Sequence, residues 1–333
     1  MNLMKTDRIY LHVPMYSELY YRQKLLADPQ TMSYNKGYEL SFSGHNPDTG
    51  CVAFEKNEWA RWYDWWIDHE PERFYAYVMR SEDNTPVGEV DIYRPENSPF
   101  YEMGVVIEAC HRGKGYGLAA LKLLLAHAFD DMHVQEVHNC FEETRQAAMA
   151  IHQRCGFEKD SVDQGIAQMI CTRKSYLNSR VRMMERKELS AEDIPDVLEL
   201  YRTNPQYFVH CPPEADEASV SRDLSEKPEG SGIIKHFYGW YEDGRLCALM
   251  DLLENYPEKA KAWTGLFMVH SEYQRKGLGR TVIAQLKETL SEEMDEVRLG
   301  CAETNNAALK FWQACGFRKY GHREGVILMR KTL

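Results

Sequence analysis

A basic, glycine-rich hexapeptide occurs twice in this chain of 333 residues, and each copy is followed downstream by the same tripeptide. The first is Arg112-Gly113-Lys114-Gly115-Tyr116-Gly117, with Cys155-Gly156-Phe157 after it; the second is Gln274-Arg275-Lys276-Gly277-Leu278-Gly279, with Cys315-Gly316-Phe317. The hexapeptides lie 162 positions apart and the tripeptide glycines 160. So constant an offset means that one architecture is carried twice. In each copy the turn opens a helix, which presents several backbone N–H groups together with the positive end of the helix dipole. A phosphate or pyrophosphate is the expected guest.

The length suits two domains of roughly 150 to 180 residues better than one core. The polar stretch Ser175 to Arg180 is read as the break, giving domains 1–177 and 178–333. Apolar residues at 44% supply two cores without disorder. A net charge of −11 argues against a nucleic-acid partner, which needs a clustered cationic face, and makes a cationic ligand easier to accommodate. Nine cysteines without a C-x-x-C pair, and no early apolar run after a basic start, predict neither a disulfide framework nor a signal peptide, hence a reducing cytoplasm. The longest apolar run, near Leu121 to Ala126, is too short to cross a membrane.

Leu11 to Pro14 reads as a strand and Ser17 to Asp28 as a helix capped by Ser17. Trp59, Trp62, Trp65 and Trp66 recur at helical spacing within Glu58 to His69, a stripe that suits either core or the wall of an acceptor pocket. Phe74–Met79 and Val87–Tyr93 form a predicted hairpin, Tyr101–Ile107 a further strand, and Leu118–Phe129 the helix after the turn. Strand Val134–Phe141, helix Gln146–Arg154 and strand Ile166–Thr172 complete the copy, with Gly156 stopping the helix. The second copy opens on strand Val181–Glu185. It repeats the order with helix Ala191–Arg202, loop Asn204–Pro213, helix Ala218–Leu224, strands Phe237–Tyr241, Leu246–Leu253 and Trp263–Val269, helix Thr281–Leu290, strand Val297–Ala302 and helix Ala307–Ala314. Runs of strands with one crossover helix predict a mixed sheet in each half.

Spacing separates the phosphate motifs. A P-loop needs Ser or Thr after Gly-Lys, yet Gly115 follows Lys114, and Lys276-Gly277 reverses the order. A dinucleotide fingerprint needs a glycine where Leu118 stands. What remains, Arg/Gln-x-x-Gly-x-Gly after a strand with Gly-Phe some forty residues on, resembles the acetyl-CoA site of the GNAT superfamily of N-acetyltransferases, over nearly the whole of both halves. The resemblance implies an α+β fold, a mixed α/β sandwich in which each domain has a mostly antiparallel sheet flanked by helices and a splayed strand pair at the CoA site.

It also implies that Arg112 to Gly117 and Gln274 to Arg280 hold the pyrophosphate of acetyl-CoA, and that Val105, Ile107, Phe267 and Val269 pair with the pantetheine arm. An amine then attacks the thioester directly, without metal or covalent intermediate. Asn305 and Ala308 match the family's Asn-x-x-Ala stretch, where the first copy has Arg145 and Ala148. The tyrosine acid of that pattern is replaced by Trp312 in the second copy and His152 in the first. Trp cannot give up a proton; His152 is either the acid or a packed residue. Glu102, at the strand position of relatives that acetylate protein N-termini, is a candidate base, and its counterpart by the 162 offset is Thr264. Asp251 and Glu254 are candidates in the second half to order water or attract a cationic amine.

The expected activity is acetyl transfer to a primary amine of a small molecule, with protein N-termini as the next substrate class. Non-catalytic acyl-CoA binding, or one active and one structural half, is the competing reading. Glu102 and His152 favour the first half as active, Asn305 the second. The acceptor loops Tyr34–Gly50 and Asn204–Pro213 carry no readable motif. The protein is expected to be a monomer with an internal pseudo-dimer or a homodimer, engaging neither nucleic acid nor membrane.

Overall fold

Turns too short for a crossover join the strands Arg73–Arg80, Pro86–Tyr93 and Tyr101–Ile107 in the first half and Ile234–Glu242, Arg245–Glu254 and Lys261–Val269 in the second, so these pair in chain order as antiparallel neighbours. The structure is a computed structural model and describes residues 6, 8–40, 43–211 and 215–333. It divides into two compact units, Met1–Ser179 and Arg180–Leu333.

In the first unit, β1 (Ile9–His12), α1 (Tyr20–Leu26) and α2 (Lys56–Trp66) precede β2 (Arg73–Arg80), β3 (Pro86–Tyr93) and β4 (Tyr101–Ile107). Then come α3 (Tyr116–Ala126), β5 (Glu136–Glu142), α4 (Gln146–Arg154), β6 (Glu158–Asp163) and β7 (Ile166–Thr172). The sheet order is β1-β2-β3-β4-β5-β7-β6, and its one parallel pair is β4 with β5, joined across α3. On β4 the residues alternate: Met103, Val105 and Ile107 face the core beneath α3, and Gly104 and Val106 face the other side. Helix α3 is apolar almost all round, with Ala120, Leu121, Leu124 and Leu125 inaccessible, because it is packed by β1, β3, β4 and α4.

Helix α5 (Arg173–Met183) spans the boundary where a polar break was expected. Tyr176 and Leu177 enter the first unit's core and Val181 the second's, a helical recurrence hidden among polar neighbours. The strand expected at Val181–Glu185 is therefore displaced to β8 (Glu185–Glu188). The second unit continues with α6 (Ile194–Arg202), α7 (Pro205–His210), α8 (Glu217–Ser225), β9 (Ile234–Glu242), β10 (Arg245–Glu254) and β11 (Lys261–Val269). It closes with α9 (Leu278–Ala284), β12 (Glu296–Ala302), α10 (Asn306–Ala314), β13 (Arg318–Arg323) and β14 (Val326–Thr332). Its order, β8-β9-β10-β11-β12-β14-β13, repeats the first sheet, again with one parallel pair, β11 with β12.

Other expectations change locally. Ser17 caps nothing: Tyr16–Glu18 is a single 3-10 turn, in which the Glu18 carboxylate accepts from the Met15 amide at 2.7 Å, and α1 starts at Tyr20. The loop expected over Asn204–Pro213 contains α7, and its residues 212 and 213 lie outside the described residues. Strands β6, β8 and β13 were not legible, because these sheet-edge strands are almost wholly exposed and polar. Among the described residues no helix is long and apolar enough to cross a membrane, and all nine cysteines are free.

Candidate active site

The first glycine turn holds Gly113 and Gly115 in the left-handed region, at φ 75° and 84°, and α3 begins at the next residue. The amides of Gly113 through Leu118 have no acceptor among the described residues. Six consecutive unpaired donors at a helix N-terminus form a nest for an anion. In the second unit Arg275 and Gly277 take the same two positions, at φ 61° and 95°, before α9, and the amides of Gly277 through Arg280 are likewise unpaired among the described residues. A left-handed arginine costs roughly 1 to 2 kcal/mol that Gly113 does not. Tyr116 and Leu278 point into their cores, so each can serve a ligand only through its backbone. Lys114 and Arg280 are exposed beside the nests.

Arg112 and Gln274 differ from expectation. Arg112 donates to the carbonyls of Ile107 at 3.1 Å, Gln30 at 3.3 Å and Thr31 at 2.6 Å, and Gln274 to the Val269 carbonyl at 2.8 Å and the Asn204 side chain at 2.7 Å. Their amides are bonded back to Ala109 and Ser271. Both side chains therefore tie the turn to the preceding strand end and do not face an anion.

The strand openings are explicit. β4 pairs with β5 only at Tyr101 and Glu102, and β11 with β12 only through Thr264. Since Glu108 donates to Val87 and His270 to Cys247, alternation along each strand turns the backbone groups of Val105, Ile107, Phe267 and Val269 toward the unpaired side. The Ile107 and Val269 carbonyls on that side are taken by Arg112 and Gln274.

Over the opposite face of β3 and β4 lies a cavity of about 730 Å³. Helix α2 supplies Glu58, Arg61, Trp62 and Trp65, the α1–α2 connection Met32, Tyr34 and Phe54, and the strands Glu89, Asp91, Gly104 and Val106. The tryptophan stripe thus divides: Trp59 is core, Trp62 and Trp65 are wall, and Trp66 packs on Tyr75 and Tyr93. In its floor Glu89, 4% exposed, is bonded by both Arg22 and Tyr75, and Arg22 lies over the Trp62 ring at 4.7 Å. Asp91 has no hydrogen-bond partner among the described residues. It lies against Gly104, where a Cβ would come within 2.5 Å of its Oδ2, so any larger residue would push the carboxylate from this seat. Burial, and next the charge of Glu89, push the Asp91 carboxyl up to about 7 against the opposing pull of Arg22. A carboxyl so held, in an aromatic-walled cavity at the open stretch of β4, is suited to exchange a proton with a cationic amine near neutrality.

Asp251 occupies the matching place, its Oδ2 2.5 Å from a Cβ position on Gly265, but Lys235 holds it at 2.6 Å. Burial raises its carboxyl and the Lys235 ammonium opposes the rise. Asp91 was missed in the sequence; carrying Asp251 back by the 160 offset would have found it. Glu102 faces the cavity side of β4 but accepts from the Tyr93 hydroxyl at 2.5 Å and lies outside the cavity lining. His152 is corrected to a packing residue: one ring nitrogen meets the Ala148 carbonyl at 2.8 Å, the other the Asn139 amide at 2.9 Å, and burial lowers the imidazole to about 4. Its ring lies 4.9 Å from Phe157, as Trp312 lies 5.0 Å from Phe317. Asn305 caps α10, its Oδ1 accepting from the Ala308 amide at 3.0 Å.

Residues 14–158 match a family profile described as Acetyltransferase (GNAT) domain, and residues 194–317 one described as Acetyltransferase (GNAT) family. No curated protein matches the chain. Similar solved structures include an acetyltransferase from Thermus thermophilus, 21% identical over 46% of this chain and 99% of that one, with a TM-score of 0.41. Spermidine N-acetyltransferase from Vibrio cholerae in complex with CoA and spermine is 17% identical over 51% and 98%, with a TM-score of 0.41. An N-acetyltransferase from Thermoplasma acidophilum in complex with coenzyme A is 18% identical over 45% and 99%, with a TM-score of 0.36.

Proposed function

Because the chain belongs to the GNAT acetyltransferase family, with one such domain in each half, we propose that its first half transfers an acetyl group from acetyl-CoA to a primary amine of a small molecule. Bound acetyl-CoA supplies the acetyl group as an activated thioester. The unpaired amides of Gly113 to Leu118 fit its pyrophosphate, and the outward backbone of Val105 and the Ile107 amide fit its pantetheine arm.

The observation that carries the reading is Asp91, an unpartnered carboxyl held at about 7 beside the open strand. A cationic amine entering the cavity passes the walls formed by Trp62 and Trp65, which stack under Arg22 and Arg73, and then meets this carboxylate. Arg22 and Glu89 neutralise each other, which leaves Asp91 as the acceptor for the ammonium proton. Tyr75 and Arg22 fix Glu89, so the field around Asp91 is set before the amine arrives.

The second half is read as a cofactor-holding, non-catalytic domain, because Lys235 already occupies the place a cationic amine would take beside Asp251. In an amine-panel assay that follows thiol release, Asp91→Asn is expected to lower kcat by about a hundredfold, within the range for losing a general base, with KM for acetyl-CoA unchanged. Asp251→Asn is expected to leave kcat within about twofold if the protein stays folded. The reverse pattern would transfer catalysis to the second half, and equal activity of all three proteins would remove Asp91 from the mechanism.

A further inference from the structure

The turn that leads into the first glycine nest carries three different metal-ligand types. The Glu108 carboxylate, the Cys110 sulfur and a His111 ring nitrogen all lie within 4.8 Å of one another. Cys110 Sγ is 3.5 Å from Glu108 Oε2, and His111 Nε2 is 3.8 Å from the same oxygen. Bond lengths of about 2.3 Å to sulfur and 2.0–2.1 Å to nitrogen and oxygen place tetrahedral zinc ligands roughly 3.3 to 3.6 Å apart. The Cys110–Glu108 pair already has that spacing, and the His111–Glu108 pair is a few tenths of an ångström wide of it.

Hydrogen bonding leaves this cluster incomplete. Glu108 is 8% exposed, yet its Oε1 is buried without a hydrogen-bond partner among the described residues, and so is Nδ1 of His111. The Tyr21 hydroxyl approaches the same carboxylate, and burial, then the charge and hydrogen bonding of that carboxylate, raise its pKa. Lys24 reaches Glu108 only at 3.6 Å, from a largely exposed side chain. Lys24 lies on the Oε1 side, and Oε2 is the oxygen turned toward Cys110 and His111.

The second unit shows the same turn satisfied from within. His270, Glu272 and Tyr273 stand where Glu108, Cys110 and His111 do, and Arg245 closes the group, 2.6 Å from Glu272 and 3.1 Å from the His270 ring. The Glu272 amide donates to the other nitrogen of that ring at 3.3 Å. There a guanidinium bonds both side chains, whereas among the described residues no lysine or arginine is hydrogen-bonded to the Cys110 sulfur or the His111 ring.

We propose that Glu108, Cys110 and His111 bind a divalent metal ion of the zinc class, with the fourth position open to solvent on the exposed Cys110 side. Binding forms a metal–sulfur bond as the Cys110 thiol releases its proton to solvent, while His111 binds as neutral imidazole. Two anionic ligands then balance the ion. Because the turn runs directly into Arg112, which grips the end of β4, the ion fixes the base on which the nest stands.

The test uses the full-length, tag-free protein stripped with chelator and titrated with Co²⁺, read by the thiolate-to-cobalt charge-transfer absorption, then displaced by Zn²⁺. One equivalent with a thiolate band is expected, retained in Cys140→Ser, lost in Cys110→Ser, and at least tenfold weaker in His111→Gln. Cys110 is exposed, so its substitution spares the core, and circular dichroism checks both cluster variants. A wild-type protein without the band, or a band that survives Cys110→Ser, overturns the site. Binding that is unchanged in His111→Gln overturns it as well.

Discussion

Replacing Asp91 by asparagine should stabilise the protein while disabling it, and the gain should grow with pH. The Asp91 carboxyl stands at about 7 in the fold against an ordinary 3.8, first through burial and then through Glu89, with Arg22 pulling the other way. Three units correspond to about 4 kcal/mol favouring the neutral form. Between about pH 4 and pH 7 the folded chain holds a proton that the unfolded chain has lost. The stability this contributes is complete below the unfolded value and is lost as pH rises through the folded one.

Asparagine is neutral throughout, so its advantage isolates that loss: about 0.5 kcal/mol at pH 4, rising to about 4 kcal/mol at pH 7 and above. Water in the cavity screens the carboxylate, which makes the larger figure an upper bound. For a domain of this size 1 kcal/mol moves Tm by about 2 to 4 °C, so the variant should melt up to about 16 °C higher at pH 8. Scanning calorimetry of both proteins at pH 5, 6, 7 and 8 tests this. A Tm difference that stays constant across the series, or an asparagine variant less stable at pH 8, would refute the account of Asp91.

Gly115→Val and Gly277→Val each force a β-branched side chain onto a left-handed residue at a nest; calorimetric titration with acetyl-CoA should show two equivalents in the parent and one in either variant. Two equivalents in both would mean that the nests do not hold the cofactor. His152→Phe should keep turnover within about twofold while lowering stability by about 1 to 2 kcal/mol, because it preserves the ring contacts with Phe141 and Phe157 but breaks two hydrogen bonds. A tenfold loss of kcat without loss of fold would restore His152 as the acid.

The duplication, the mixed sheets and both glycine turns were legible because they are written in backbone requirements: left-handed glycines, alternating strands and a fixed offset. Strands β6, β8 and β13 were not, since a polar sheet edge has no apolar period to read. Helix α5 was mistaken for a break because its few apolar residues serve two cores in turn. Within the site the two glycine turns with their left-handed residues and open amides were legible, and the unpartnered Asp91 was not. Glu102 has the spacing of a base, but that spacing carries no information about Tyr93, which bonds it. Asp91 follows no motif at all. What marks it is its burial, the neighbouring Glu89 and a glycine on the next strand, three facts that exist only after β3 and β4 have paired.

The two units show which parts of such a site survive divergence. The nest and the strand opening depend on backbone, so Gln274 can replace Arg112, and Arg275 can replace Gly113 for a modest strain, with the left-handed turn and the open strand kept. The chamber depends on side-chain charge, where one substitution changes the chemistry. Glycine opposite the aspartate is retained in both units, at Gly104 and Gly265, so the carboxylate is seated alike in each. In the first, the nearby cation Arg22 is directed to Glu89 and held there by Tyr75, and Asp91 is left open. In the second, Lys235 binds the aspartate itself. The placement of one cation therefore separates an unpartnered carboxyl, which the proposed reaction uses as its proton acceptor, from one that completes a buried ion pair.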